Sequence, residues 1–111
     1  MAILNLTPHT ITIIDAEGTE VAVFPPTGTV ARAVQVDQPV GEVEGVKVVR
    51  TTFGDPTDLP DPREGVWLVV SLATANAAKA AGRPVDDLLL TSSPVRDAAG
   101  RIIGCRQFAC L

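Results

Sequence analysis

Alternation of apolar and polar residues dominates both ends of the chain. Thr10-Ile11-Thr12-Ile13-Ile14 has the period of two that marks a half-buried strand, and after Asp15-Ala16-Glu17-Gly18 the apolar positions resume at Val21-Ala22-Val23-Phe24. The pair predicts a β-hairpin with Ile11 and Ile13 on one face and Val21 and Val23 packed across from them or diagonally. Residues 94–108 repeat the arrangement around Asp97-Ala98-Ala99-Gly100. In both turns an aspartate is followed three residues later by glycine, which fits a type I turn closed by a glycine in the left-handed region. Four shared turn residues recur too readily by chance to signal an internal repeat.

The middle of the chain is punctuated by proline and glycine. Pro25-Pro26-Thr27-Gly28 removes two ladder donors and ends the second strand. Alternation over residues 30–36 predicts a further strand, which sets Arg32 on a different face from Ala31 and Ala33. Residues 41–45 read as a loop or short turn, residues 46–53 as a strand, and residues 54–65, with three prolines, as a long surface loop. Val66-Trp67-Leu68-Val69-Val70 is continuously apolar, as in a strand covered on both faces. One helix is predicted over residues 72–81, capped by Ser71 and stopped by Gly82 with Pro84 beyond. Its small-residue face of Ala73, Ala77, Ala80 and Ala81 suits close packing on a sheet. Residues 85–91 read as a strand. These elements predict an α+β, mainly β chain that folds as a single domain over residues 1–111. The expected architecture is a compact barrel or strongly bent mixed sheet of six to eight strands, with one Ala-rich helix plugging an end.

Composition agrees with that reading and removes several functions. The 111 residues, 46% hydrophobic and 20% charged, are enough for one buried core and too few for two. The formal net charge is −4, and the nine Lys and Arg are scattered instead of forming a stripe, so duplex nucleic acid is not an expected partner. Aromatic residues are only 4% with no tyrosine, which argues against a base-stacking platform. No apolar run approaches the ~20 residues of a membrane span, and the start lacks the basic region of a signal peptide. The expected location is the cytoplasm, without membrane attachment. Cys105 and Cys110 are an odd number of residues apart, on opposite faces of a strand, and read as reduced, buried thiols.

Little in the chain resembles catalytic machinery. His9 is the single histidine, so it has no histidine partner for a transition-metal site, and its plain reading is a ring bonded to a turn. A Cys105–His9 nucleophile and base would require the first and last strands to meet, whereas Cys105 lies in an alternating apolar run that suits an inert thiol. Asp55, Asp58 and Asp61 lack the spacing of a calcium loop and read as solvated acids. Phosphate loops, dinucleotide fingerprints, serine elbows and paired-cysteine zinc signatures are absent from the sequence, and no cofactor or metal is expected. Two polar clusters remain, Arg83-Pro84-Val85-Asp86-Asp87 and Thr91-Ser92-Ser93-Pro94-Val95-Arg96-Asp97. Hydroxyls and guanidinium groups can hold a phosphate or carboxylate through charge-assisted bonds. The candidate ligand-binding residues are therefore His9, Arg32, Arg83, Asp86, Thr91, Ser92 and Arg96.

Asn5-Leu6-Thr7-Pro8-His9, the loop over residues 54–62 with Leu59-Pro60, the Val69-Val70-Ser71 strand end, and the closing Gly100-Arg101-Ile102-Ile103-Gly104-Cys105 resemble a group of small uncharacterised proteins of bacteriophages, prophages and actinobacteria. The resemblance covers most of the chain and implies a phage or prophage setting, with the host cytoplasm as location, and no catalytic residues. The leading expectation is a non-catalytic binding protein for a small anionic, nucleotide-like ligand or a host protein. The alternatives are a phage structural or assembly protein that forms a homo-oligomer, and a small hydrolase or transferase built on His9 with Asp86, Asp87 or Cys105.

Overall fold

The computed structural model describes residues 2–111. In chain order its elements are β1 (Ala2–Asn5), β2 (Ile11–Ile14), β3 (Glu20–Phe24), β4 (Gln35–Val43), β5 (Val46–Phe53), β6 (Val66–Val69), α1 (Leu72–Ala80), β7 (Leu88–Arg96) and β8 (Ile102–Ala109). Six strands form a mixed sheet in the order β1-β6-β7-β8-β2-β3, and β4 with β5 forms a separate two-stranded ladder. The mainly β architecture with one helix agrees with the sequence reading.

Both glycine-closed hairpins form with the same chemistry. At the first turn, Asp15 Oδ1 accepts from the Glu17 and Thr19 amides at 3.0 and 2.8 Å, while Gly18 at φ 82° donates to the Asp15 carbonyl. At the second, Asp97 Oδ1 accepts from the Ala99 and Arg101 amides at 2.9 and 3.0 Å, and Gly100 at φ 84° donates to the Asp97 carbonyl. Each carboxylate satisfies two amides that the turn would otherwise leave to water. Replacing Asp97 by alanine is expected to cost about 1–2 kcal/mol in urea unfolding, with Asp15→Ala similar, since each turn loses two charge-assisted bonds near the surface.

The first hairpin pairs one residue away from the expected register. Ile11 faces Phe24 and Ile13 faces Ala22, which puts Val21 and Val23 on the outer face, 58% and 48% exposed. The five-residue turn fixes this: Asp15 pairs with Thr19, and a shift between Ile13 and Ile14 sets the rest of the ladder.

The sheet bends until its edge strands touch. Asn5, at the end of β1, bridges Pro26, just beyond β3, and Thr27 donates its amide to the Asn5 carbonyl at 3.1 Å. Inside the bend lies a cluster of Ile11, Val69 and Cys105, flanked by Ile3, Phe24 and Phe108. Phe24 and Phe108 meet at a centroid distance of 5.6 Å with tilted rings, a favourable aromatic geometry. On the outer side of β1, β6 and β7 a second cluster joins Leu6, Leu68, Val70 and Leu88 to Ala75 and Ala78 of α1. Strand β6 is thus covered on both faces, which explains its unbroken apolar run.

Helix α1 begins where expected, with Ser71 Oγ accepting from the Thr74 amide at 3.2 Å. It ends in a Schellman arrangement, with the Arg83 amide on the Ala78 carbonyl and Gly82 at φ 83°. It packs on the outside of the sheet and does not plug an end. The parallel crossover from β6 to β7 decides this, because such a connection must run across a sheet face.

Three other expectations change. Residues 2–5 form a strand that the alternation did not announce, because a four-residue parallel strand buried mainly by its neighbours has no clear period. The strand expected over residues 30–36 begins only at Gln35 and continues through residues 41–43, so the turn shrinks to Glu44 and Gly45, at φ 51° and 79°. Two consecutive positive φ values make this a type I′ hairpin turn, which matches the twist of long paired strands. Strand β7 starts at Leu88, after a turn in which the Leu88 amide bonds the Val85 carbonyl. Cys105 is buried as expected, but Cys110, one residue beyond β8, is exposed.

Candidate ligand cavity

Strands β1, β6 and β7 run parallel, so their carboxyl ends lie at one end of the sheet. Backbone leaving parallel strands diverges there, which is where α/β sheets form crevices. An open cavity of about 770 Å³ occupies this end. Its polar lining comes from Thr7 and His9 after β1, Ser71 at the start of α1, and Thr91 and Ser92 of β7. Its apolar lining comes from Ile11, Leu72, Leu90, Ile102 and Ile103.

The polar side is built on Asn5. This side chain is 1% exposed and uses its full capacity: Nδ2 donates to the carbonyls of His9 at 2.7 Å and Phe24 at 2.9 Å. Its Oδ1 accepts from the amide and the hydroxyl of Thr7 at 2.9 and 2.6 Å. The motif Asn5-Leu6-Thr7-Pro8-His9 is therefore a knot. It joins β1 to β3, turns the chain, and presents the exposed His9 ring at the cavity. Proline at position 8 narrows the conformations of that turn.

Other lining groups differ in how far they are already used. Ser71 Oγ is engaged with Thr74, and Ser92 Oγ accepts from Gln107 Nε2 at 3.1 Å. The hydroxyls of Thr10, Thr12 and Thr91 and the His9 ring make no hydrogen bond to another described residue. The first turn of α1 contains no acidic side chain, so the positive end of its dipole is uncompensated at the cavity. Ser93 holds φ 57° between Ser92 and Pro94, two lining residues, so β7 is kinked where it forms the wall.

Of the residues singled out from sequence, His9, Thr91 and Ser92 come together here. Arg32 lines a smaller neighbouring cavity of about 270 Å³ that shares Thr7, Pro8 and Ser71 with the larger one. Arg83 and Asp86 are elsewhere. Arg83 makes a bidentate pair with Asp87 at 2.9 Å and donates to the Pro60 carbonyl at 2.7 Å, both ion-pair side chains being nearly buried. It ties the loop of residues 54–65 to the fold, beyond the carboxyl end of the helix whose amino end faces the cavity. Asp86 is exposed and takes no part in that tie. Arg96 donates to the Gly100 carbonyl at 2.8 Å and serves the second hairpin turn. The three candidate arginines are thus split, because Arg83 follows the carboxyl end of α1 and Arg96 closes onto the second hairpin turn, both away from the helix amino end at the cavity.

Sequence reasoning missed Thr7, Thr10, Thr12, Ser71 and the apolar wall. Thr10 and Thr12 were visible in principle, as the polar half of the same alternation that put Ile11 and Ile13 in the core. The wall was not, since Leu72 and Ile102 are brought together only by the sheet order.

Strands β2 and β8 do pair, Ile13 opposite Cys105, so His9 and Cys105 line the same cavity. Cys105 is 4% exposed within the apolar cluster. Among the described residues no three His, Cys, Asp or Glu side chains converge to hold a metal ion, and no helix is long and apolar enough to cross a membrane. Comparison with protein-family models, with curated proteins and with solved structures finds no match for this chain.

Proposed function

We propose that this chain is a small binding protein whose cavity takes a nucleotide-like organic anion. The observation that carries the reading is the cavity of about 770 Å³ at the carboxyl ends of three parallel strands, within the size range of small-molecule sites. A flat ring system fits the wall of Ile11, Leu72, Ile102 and Ile103, where it loses water from both its faces and the wall. The anionic end then meets the amino end of α1, which carries no acidic side chain in its first turn, and the His9 ring, with the Thr91 hydroxyl beside them. Arg32, from the adjoining cavity, is the one guanidinium of the expected set near enough in the fold to contribute. The proposed setting is a phage or prophage protein acting in the host cytoplasm.

Calorimetry with nucleoside mono- and triphosphates and cyclic dinucleotides tests this. At least one is expected to bind with Kd below about 1 mM, and Thr91→Val or His9→Ala to weaken it roughly tenfold, the loss of one or two hydrogen bonds. Heat-silent titrations across the whole panel at millimolar concentration would remove the proposal.

A further inference from the structure

Beyond the bent sheet, β4 and β5 form a two-stranded arm that pairs with no other strand and meets the body at its root, where Gln35 and Phe53 line the smaller cavity. All nine residues of β4 are exposed, as are seven of the eight in β5. The molecule measures 49 × 39 × 23 Å, with a radius of gyration of 16.6 Å, against roughly 13 Å for a compact chain of this length. A lone hairpin is marginal in water, so an arm of this kind requires cover.

Its two faces differ in make-up. On one, Asp37 Oδ1 accepts from Thr51 Oγ1 at 2.8 Å and Gln35 Nε2 at 3.1 Å and Glu42 lies opposite Lys47, with Phe53 at the root and the Pro39–Val49 pair as its apolar members. The register puts Val36, Val43, Val46 and Val48 on the other face, joined by Val40 at the bulge beside Gly41 and interrupted by the Gln38–Arg50 pair and by Thr52 opposite Val36, so its apolar part is concentrated toward the tip. Val40, Val43 and Val46 are 53%, 62% and 66% exposed. The body has a matching deficit at the cavity mouth, where Leu72, Ile102 and Ile103 are 58%, 60% and 51% exposed. Root and receptor are neighbours in space: Gln35 and Phe53 at the base of the arm line the small cavity that adjoins the large one.

We infer that two copies of this chain exchange arms about a twofold axis, each laying its valine face over the cavity mouth of the other. Buried area favours this arrangement over the pairing of arm with arm. Nine residues give an arm about 30 Å long and about 10 Å wide, hence roughly 300 Å² per face. Pairing the two arms with each other covers two such surfaces, roughly 600 Å², in the range of packing contacts. Reciprocal docking covers four, roughly 1,200 Å², which reaches the lower limit of specific interfaces. The contact is isologous, so it closes at two copies. It also deepens the binding reading, on which its second half rests: the cavity gains its missing wall from the partner.

Light scattering and sedimentation of the full chain at about 50 μM provide the test. Wild-type chain is expected at twice its 11.6 kDa mass. The double variant Val43→Asp/Val46→Asp, in the arm, and Ile102→Asp, at the receptor, are each expected to weaken self-association at least about 100-fold, with thermal unfolding of the body retained because all three positions are exposed. Mixing the two variants restores one intact junction and is expected to return part of the dimer. A monomeric wild type overturns the inference, and so does an Ile102→Asp chain that dimerises normally, which would mean arm-to-arm pairing. The same nucleotide panel, titrated into the arm variant, separates the two proposals. Ligand bound by wild type and at least tenfold more weakly by the arm variant supports both. Equal binding overturns the shared cavity, and a dimer that binds nothing overturns the ligand while leaving the arm exchange standing.

Discussion

Asn5→Ala is expected to lower the unfolding free energy by about 3–5 kcal/mol, a large part of the total for a chain of this size. The side chain is fully buried and its amide makes two donations and two acceptances, to partners in three different places. Truncation strands the Phe24 carbonyl and the Thr7 amide, whereas the His9 carbonyl keeps a weaker bond from Thr7 Oγ1 at 3.2 Å. Two part-buried groups losing these bonds, at about 1–3 kcal/mol each, together with the packing lost from the buried side chain, account for the expected loss. The loss should appear as a fall in Tm of about 12 °C or more, read by circular dichroism. Asn5→Asp sharpens the test because it keeps the shape and both acceptors but loses both donors, and aims a carboxylate at two carbonyl oxygens. Burial and that repulsion raise the folded-state pKa of the new carboxyl above its unfolded value of about 4. The variant is then destabilised increasingly as pH rises through that value, and recovers toward wild type as pH falls below it. Urea titrations at acid and neutral pH measure the gap. A variant as stable as wild type at neutral pH would show that the knot does not hold the sheet edges together.

Gly104→Ala is expected to be the most damaging of the glycine-to-alanine changes in this chain. A Cβ at this position would lie 2.6 Å from the Thr12 carbonyl oxygen and 2.7 Å from Ile14 Cδ1. Isoleucine can rotate, but the carbonyl belongs to β2, which is paired on both sides, to β3 and to β8. Relief therefore requires moving one strand of the ladder away from another, and overpacking of that kind costs about 1–3 kcal/mol. Gly104→Val, with two further methyl groups, should exceed it and leave little folded protein. Among the glycines, the other eight meet at most ordinary contacts, so Gly41→Ala at the arm bulge provides a control with backbone strain but no collision. Denaturant midpoints that rank Gly41→Ala below Gly104→Ala would overturn the packing argument. Gly104 also lines the cavity, so the absence of a side chain lets β8 approach β2 and leaves the floor open at the same point.

These two residues link stability to the proposed site. Asn5 orients the turn that carries Thr7 and His9, and Gly104 sets the spacing between the strands beneath them. A small fold with a short core of this kind has few independent parts, and the groups that close the sheet also shape its opening.

Most of the local chemistry was legible in the chain. The aspartate and glycine of the first and last hairpin turns, the Ser71 cap, the Gly82 stop and the doubly covered apolar run at Val66–Val69 were readable, because each depends on residues within a turn or two of one another. Composition and alternation similarly determined a single mainly β chain. Tertiary structure alone decided the rest. It made residues 2–5 a strand by supplying β6 as a parallel neighbour, and it placed Val21 and Val23 outside by setting a hairpin register that alternation leaves free by one residue. It also separated the arginines: Arg83 and Arg96 were absorbed as ties at other corners of the sheet, while Ser71 and Ile103, far apart in the chain, became walls of one cavity. The reason is physical. Turns and caps are set by bonds among near neighbours and are written locally, whereas a site on a sheet is set by which strands pair, and that order follows from burying apolar area across the whole chain at once.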